Sequence, residues 1–118
     1  MPEIIDDRLQ LILDSILLID KRMTKIKTPH DFYKEEDNME TLDGVSMRLQ
    51  HIGENVKKIS EINNSFFNET LSYDVEPIIR FRDFISHHYE KTDAEIIFDI
   101  CKNYLPELKS KIMGYIKP

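Results

Sequence analysis

The sequence has 118 residues, of which 32% are charged and 41% hydrophobic, which fits one folded domain spanning 1–118 and excludes a disordered chain. The net charge of −6 excludes attraction of nucleic acid to the surface as a whole, so any RNA binding has to work through a local basic cleft. Three glycines and five prolines are too few for the many turns of a β-sandwich and favour a few long helices.

A first helix is expected over residues 2–27. Pro2 and the acids Glu3, Asp6 and Asp7 suit its N-terminus. Ile5, Leu9, Ile12, Ile16, Ile19, Met23 and Ile26 alternate by four and three, the spacing of one seam in an antiparallel bundle. Leu13, Leu17 and Leu18 widen the seam, so this helix should touch more than one neighbour. Residues 28–37 read as a polar connection opened by Pro29.

A second helix is expected over 38–62, with Leu42, Val45, Leu49, Ile52, Val56 and Ile59 inward. Gly44 and Gly53 each weaken it by roughly 1 kcal/mol relative to alanine. Gly53 adjoins the seam, where a missing side chain permits close approach of another helix. Residues 63–72 combine asparagines with Phe66 and Phe67, which need burial, and read as a connection holding one helical turn.

Asp74 is a candidate cap for a third helix, followed by Glu76 and Pro77 in the first turn and running to about His87. Thr92, Asp93, Ala94 and Glu95 form a capping box for a fourth, expected to reach about Tyr115 with Ile97, Cys101, Tyr104, Leu108 and Ile112 inward. Pro106 should kink it. The expected fold is therefore all-α, an antiparallel four-helix bundle. The apolar surface of the first helix and the two phenylalanines are generous for so small a core, and a homodimer is the expected assembly.

Several chemistries are absent from the sequence. It has no Gly-rich phosphate loop, no HExxH, no paired cysteines for zinc and no Glu-x-x-His pair of a di-metal bundle. No metal site and no cofactor are expected. Cys101 is the only cysteine, which excludes an internal disulfide, fits a reducing cytosol and reads as a small core residue. His51 and Glu54 lie on one helix flank, where a solvated role is the ordinary reading. The start MPEIIDD lacks the basic residues of a signal peptide, and no apolar run is long enough for a membrane span. A cytoplasmic location without a membrane partner is the expectation.

The chemistry-bearing stretch is Arg82, Asp83, Phe84, Ile85, Ser86, His87, His88 and Tyr89. Arg80, Arg82 and Lys91 outnumber Asp83 and Glu90 here, a local excess of positive charge beside titratable imidazoles. On an unbroken helix, residues five apart point about 140° away from each other. Arg82 and His87 would therefore flank a cleft at the helix end, or face a second copy across a dimer. The R-x4-H-x-Y pattern is loose and arises by chance in on the order of a few chains per thousand of this length. A solvated helix end carrying an Arg–Asp pair is the competing reading.

The segment closely resembles the R-x4-6-H signature of the HEPN superfamily, and specifically the HepT-like ribonuclease toxins. Arg82, His87 and Tyr89 stand at the signature positions. Leu49, Gln50, His51, Ile52, Gly53 and Glu54 look like that family's second helix, and Pro77, Ile78 and Ile79, with Leu105, Pro106, Glu107 and Leu108, extend the likeness over nearly the whole chain. Asp83 replaces the family's usual asparagine, and His88 replaces a residue that is often small.

The resemblance implies a HEPN-like bundle and a metal-independent endoribonuclease, the toxin of a toxin–antitoxin pair. Arg82 would grip the scissile phosphate and His87 serve as general acid or base, with Asp83 and His88 in support. Its partners would be RNA, a second copy, and a minimal nucleotidyltransferase antitoxin that silences it by transferring AMP to Tyr89. A rival reading makes the chain a non-catalytic substrate-binding subunit of such a nucleotidyltransferase, and a third a purely structural dimerisation domain.

Overall fold

The computed structural model describes residues 2–87 and 94–116, with only the backbone described at 2–3 and 86–87. Its helices are α1 (Pro2–Arg22), α2 (Glu36–Ile62), α3 (Glu76–His87), α4 (Ala94–Asp99) and α5 (Leu105–Ile116). No strand occurs among the described residues. α4 and α5 are joined by a π turn over Ile100–Tyr104 without a break, so five helices occupy four rods. The smallest extent of the molecule is 19 Å, about two helix diameters.

Both sequence seams are buried along their full length, from Ile5 to Ile26 on the first segment and from Leu42 to Ile59 on the second. Two pairings fix their direction. Arg8 Nη1 donates to Asn55 Oδ1 at 3.0 Å, and Arg22 reaches over Gly44, so α1 and α2 run antiparallel. α1 packs against α5 as well as α2, as its widened seam requires. Lys109 of α5 meets Asp20 of α1 at 2.9 Å, a half-exposed pair of a kind that contributes little.

Some elements differ from the sequence expectation. The first helix stops at Arg22, and Met23–Lys25 tighten into a 3₁₀ turn that still buries Met23. The second helix begins at Glu36, two residues early. The connection between them is not a polar loop throughout: Pro29–Tyr33 form a 3₁₀ turn that buries Phe32 and Asp31. The Asp31 carboxylate accepts the Lys27 and Thr28 amides at 2.8 and 3.0 Å and pairs with Lys34 Nζ at 2.9 Å. Those bonds hold its pKa well below the usual carboxylate range.

The turn foreseen around the phenylalanines is a π turn over Phe66–Thr70. It buries Phe66 and Phe67 within the chain, where they meet edge to face at 5.4 Å. Neither ring is therefore left over for self-association. Ser72 follows with φ of 52°, a left-handed residue that reverses the chain. A reciprocal clasp then ties the entry to α3 to the second π turn. Tyr73 donates its hydroxyl to the Tyr104 carbonyl at 2.6 Å, and Tyr104 donates its own to the Asp74 carbonyl.

The expected kink at Pro106 takes the form of that second π turn. Proline has no amide to offer the carbonyl four residues back, and its ring crowds the preceding turn. The chain responds one turn early: the Leu105 amide bonds to Ile100 O, five residues back. The proposed opening of the fourth helix at Thr92 and Asp93 lies outside the described residues.

Candidate functional site

α3 carries the site. Its first turn is organised by Asp74, whose carboxylate accepts the Glu76 amide at 3.0 Å, with Glu76 favourably placed at the positive end of the helix. Ile78, Phe81 and Ile85 are buried against the core. Arg82 follows Phe81, at the edge of that buried stripe, and its side chain is 27% exposed.

The position of Arg82 is set by α2. A Cβ at Gly53 would stand 2.9 Å from Arg82 Cβ, 3.4 Å from its Cγ and 3.4 Å from Ile78 O. Only the missing side chain of Gly53 lets the two helices come this close. The stem of Arg82 is packed there, with its Nε buried and part of the guanidinium left exposed. The close approach expected of Gly53 from the sequence thus has a definite partner, and it is the motif arginine.

Arg82 Nη1 lies 3.4 Å from Asp83 Oδ1. That is the long end of a hydrogen bond, to a carboxylate that is 60% exposed. The pair is a loose surface contact. Arg80, also on α3, is 3.6 Å from Glu76. A groove of about 310 Å³ runs between α3 and the rod of α4 and the second π turn, lined by Pro77, Phe81, Phe84, Ile96 and Ile100 and flanked by Arg80 and Asp99.

His87 is the last residue of α3. The helix is continuous from Arg82 to His87, so these two backbone positions stand about 140° apart around the axis and about 7.5 Å apart along it. His88 and Tyr89 lie outside the described residues. Cys101 sits in the core, where burial pushes its thiol up to about 12. Among the described residues no three His, Cys, Asp or Glu side chains converge as a metal site would need. No described helix is long and apolar enough to cross a membrane.

Sequence reasoning missed the polar brace between α1 and α2. Asn55 is buried; besides accepting from Arg8, its amide donates to His51 O at 3.0 Å and lies 3.3 Å from His51 Nε2. An asparagine beside the apolar seam, next to Val56, was the available signal.

The chain matches a family model described as "Ribonuclease HepT-like" over residues 8–114. The chain belongs to the HepT-like ribonuclease family. The match runs from Arg8 on α1 to Gly114 on α5 and includes the whole of α2 and α3. The all-α bundle is thus the HEPN-like fold of a HepT-like ribonuclease. Comparison with curated proteins and with solved structures gives no match.

Proposed function

We propose that this HepT-like chain is an RNA-cleaving toxin whose reaction is carried by Arg82 and His87. The observation that supports this most is the clamping of the Arg82 stem on Gly53. A guanidinium held at its root loses less freedom on gripping a phosphodiester and can be aimed before substrate arrives.

RNA brings its own nucleophile. The 2′-oxygen attacks phosphorus, its proton passes to a base, and the bond to the 5′-oxygen breaks as that oxygen takes up a proton. A 2′,3′-cyclic phosphate and a 5′-hydroxyl end result. His87 acts as general base or acid, since imidazole titrates near working pH. Arg82 neutralises charge that builds on the phosphoryl oxygens. Because the two positions diverge around α3, a second copy completes the site in this proposal, with the ends of the two α3 helices facing one groove.

The off-switch in this reading is AMP transfer by a nucleotidyltransferase antitoxin. The Tyr89 phenol oxygen bonds to the α-phosphorus of ATP, pyrophosphate leaves, and the phenol proton passes to solvent. The added phosphate repels an RNA phosphate two residues from His87.

The test is cleavage of a labelled RNA by purified protein in EDTA. Cleavage that disappears in His87→Ala and in Arg82→Ala supports the assignment. Undiminished cleavage by His87→Ala removes it. Toxicity on expression without the partner separates a nuclease from a non-catalytic subunit, and Tyr89→Phe should resist silencing.

A further inference from the structure

Gly53 and Arg82 sit alike on their helices. Counted from either residue, the positions four before, one before and three after are buried: Leu49, Ile52 and Val56 on α2, and Ile78, Phe81 and Ile85 on α3. The positions three before and one after are half-buried or exposed: Gln50 and Glu54 on α2, and Ile79 and Asp83 on α3. Facing helices that turn the same way from their buried to their open side run antiparallel. Lower numbers on α2 therefore lie toward the His87 end of α3.

Gln50 occupies the place beside the arginine. It lies about 4.5 Å from Gly53 along α2 and about 60° round the helix toward solvent, level with Arg82 and Asp83. Its side chain is half-buried, and its amide makes no hydrogen bond among the described residues. The neighbouring polar groups are engaged elsewhere: Ser46 donates to Leu42 O at 2.7 Å, and His51 lies on the α1 side with Asn55. Met47 stands a further three residues along the open side. At 66% it is the most exposed of the large apolar side chains among the described residues.

The charges bordering this place disfavour a second phosphate. Glu54 is exposed one turn from Gln50 on the same side of α2, and Asp83 is 60% exposed beside Arg82. Lys57 is seven residues from Gln50, about 10.5 Å along the helix, and Arg48 turns to the opposite side. A neutral ligand group is what two carboxylates tolerate. The Gln50 amide offers a donor and an acceptor side by side, the complement of a nucleobase edge. The Met47 thioether beside it offers sulfur to the face of an aromatic ring.

We propose that Gln50 determines base specificity, by hydrogen-bonding the edge of a nucleobase next to the phosphodiester held by Arg82, with Met47 against the face of that base. The proposal rests on the reading of Arg82 as the phosphate grip. Arg82 then supplies an attraction common to every sequence, and Gln50 the preference among sequences. The substrate is unpaired RNA, whose base edges are open to a side chain.

The test uses the full chain carrying His87→Ala, so that RNA stays uncut, and fluorescence anisotropy with four labelled octamers: oligoadenylate, oligocytidylate, oligouridylate and alternating guanylate–uridylate. Unequal affinities are expected. Adding Gln50→Leu should weaken the best octamer by about three- to tenfold and leave the others nearly unchanged. The slope of the salt dependence should persist, since no cation is lost. Met47→Ser should weaken all four by about two- to threefold. Arg82→Ala should weaken all four and flatten the salt dependence. Circular dichroism checks that the helices persist in each variant. Equal affinities for the four octamers, or indifference to Met47→Ser, overturns the proposal. So does a Gln50→Leu variant that changes nothing, or that weakens all four alike, as a sugar–phosphate contact would. If Arg82→Ala still loses RNA in those cases, the nuclease reading stands and only the role of Gln50 falls. Binding indifferent to Arg82→Ala removes both.

Discussion

Gly53 on α2 is the seat of Arg82 on α3: a methyl group at residue 53 would sit 2.9 Å from the arginine Cβ. Gly53→Ala should gain about 1 kcal/mol of helix propensity and lose more than that to the clash, since the obstructing atom is fixed to the α3 backbone. A net loss of about 1–2 kcal/mol is expected in urea unfolding, with RNA cleavage falling further than stability accounts for. Gly44→Ala is the control. Its new methyl group meets only the far end of Arg22 at 3.4 Å, so it should raise stability by up to about 1 kcal/mol.

Asp83→Asn removes the carboxylate 3.4 Å from Arg82 Nη1. An exposed pair of this kind is worth about 0.2–1 kcal/mol. Cleavage should therefore rise by about 1.4- to fivefold in kcat/KM, with the pH profile unchanged in shape. A fall in rate would show that Asp83 positions Arg82.

Asp31 gives the fold an acid-sensitive corner. Its native pKa is depressed by Lys34 and by the Lys27 and Thr28 amides, so its contribution is complete above the unfolded value of about 3.9 and disappears as pH falls below that value toward the native one. Asp31→Asn should unfold at a lower temperature at neutral pH. Between about pH 4 and pH 2 its melting temperature should fall less steeply than that of the parent.

The tyrosine clasp predicts the alkaline limb. Burial raises the Tyr73 phenol to about 12 and pushes Tyr104 up as well. Above about pH 10 the unfolded chain ionises these groups first, so stability should decline as pH climbs from there through the native values. Tyr73→Phe should soften that decline. At neutral pH it should cost about 1 kcal/mol, the net worth of one hydrogen bond.

Cys101 should be silent toward a thiol reagent in the native state, because the reactive thiolate is suppressed by burial. Its modification rate should follow unfolding as urea is added. A fast native reaction would place it at the surface.

Periodicity made the bundle legible before any coordinates: the burial of Ile12, Ile19, Leu49 and Ile52 follows from their three-and-four spacing alone. Seams of this kind are local and redundant, so single polar exceptions do not obscure them. The Asp31 turn carried a signal in Thr28, Pro29 and Asp31, a capping box with proline at the first position, but its polar flank, with Lys34 and Glu35, masks Phe32. Arg82 stood out by its motif, and Gly53 by its place beside the seam. The pairing of the two needed the α2–α3 contact, which no local pattern encodes. The Arg8–Asn55 brace joins residues 47 positions apart and was invisible for the same reason.

The π turn at Ile100–Tyr104 inserts one residue relative to a straight α-helix, which rotates everything after it by about 100°. Leu105, Leu108 and Ile112 are buried because of that added rotation. Deleting a single residue between positions 100 and 104 would straighten the rod and swing this stripe away from α1, leaving Pro106 inside a regular helix. The turn is a phase adjustment between two halves of one rod.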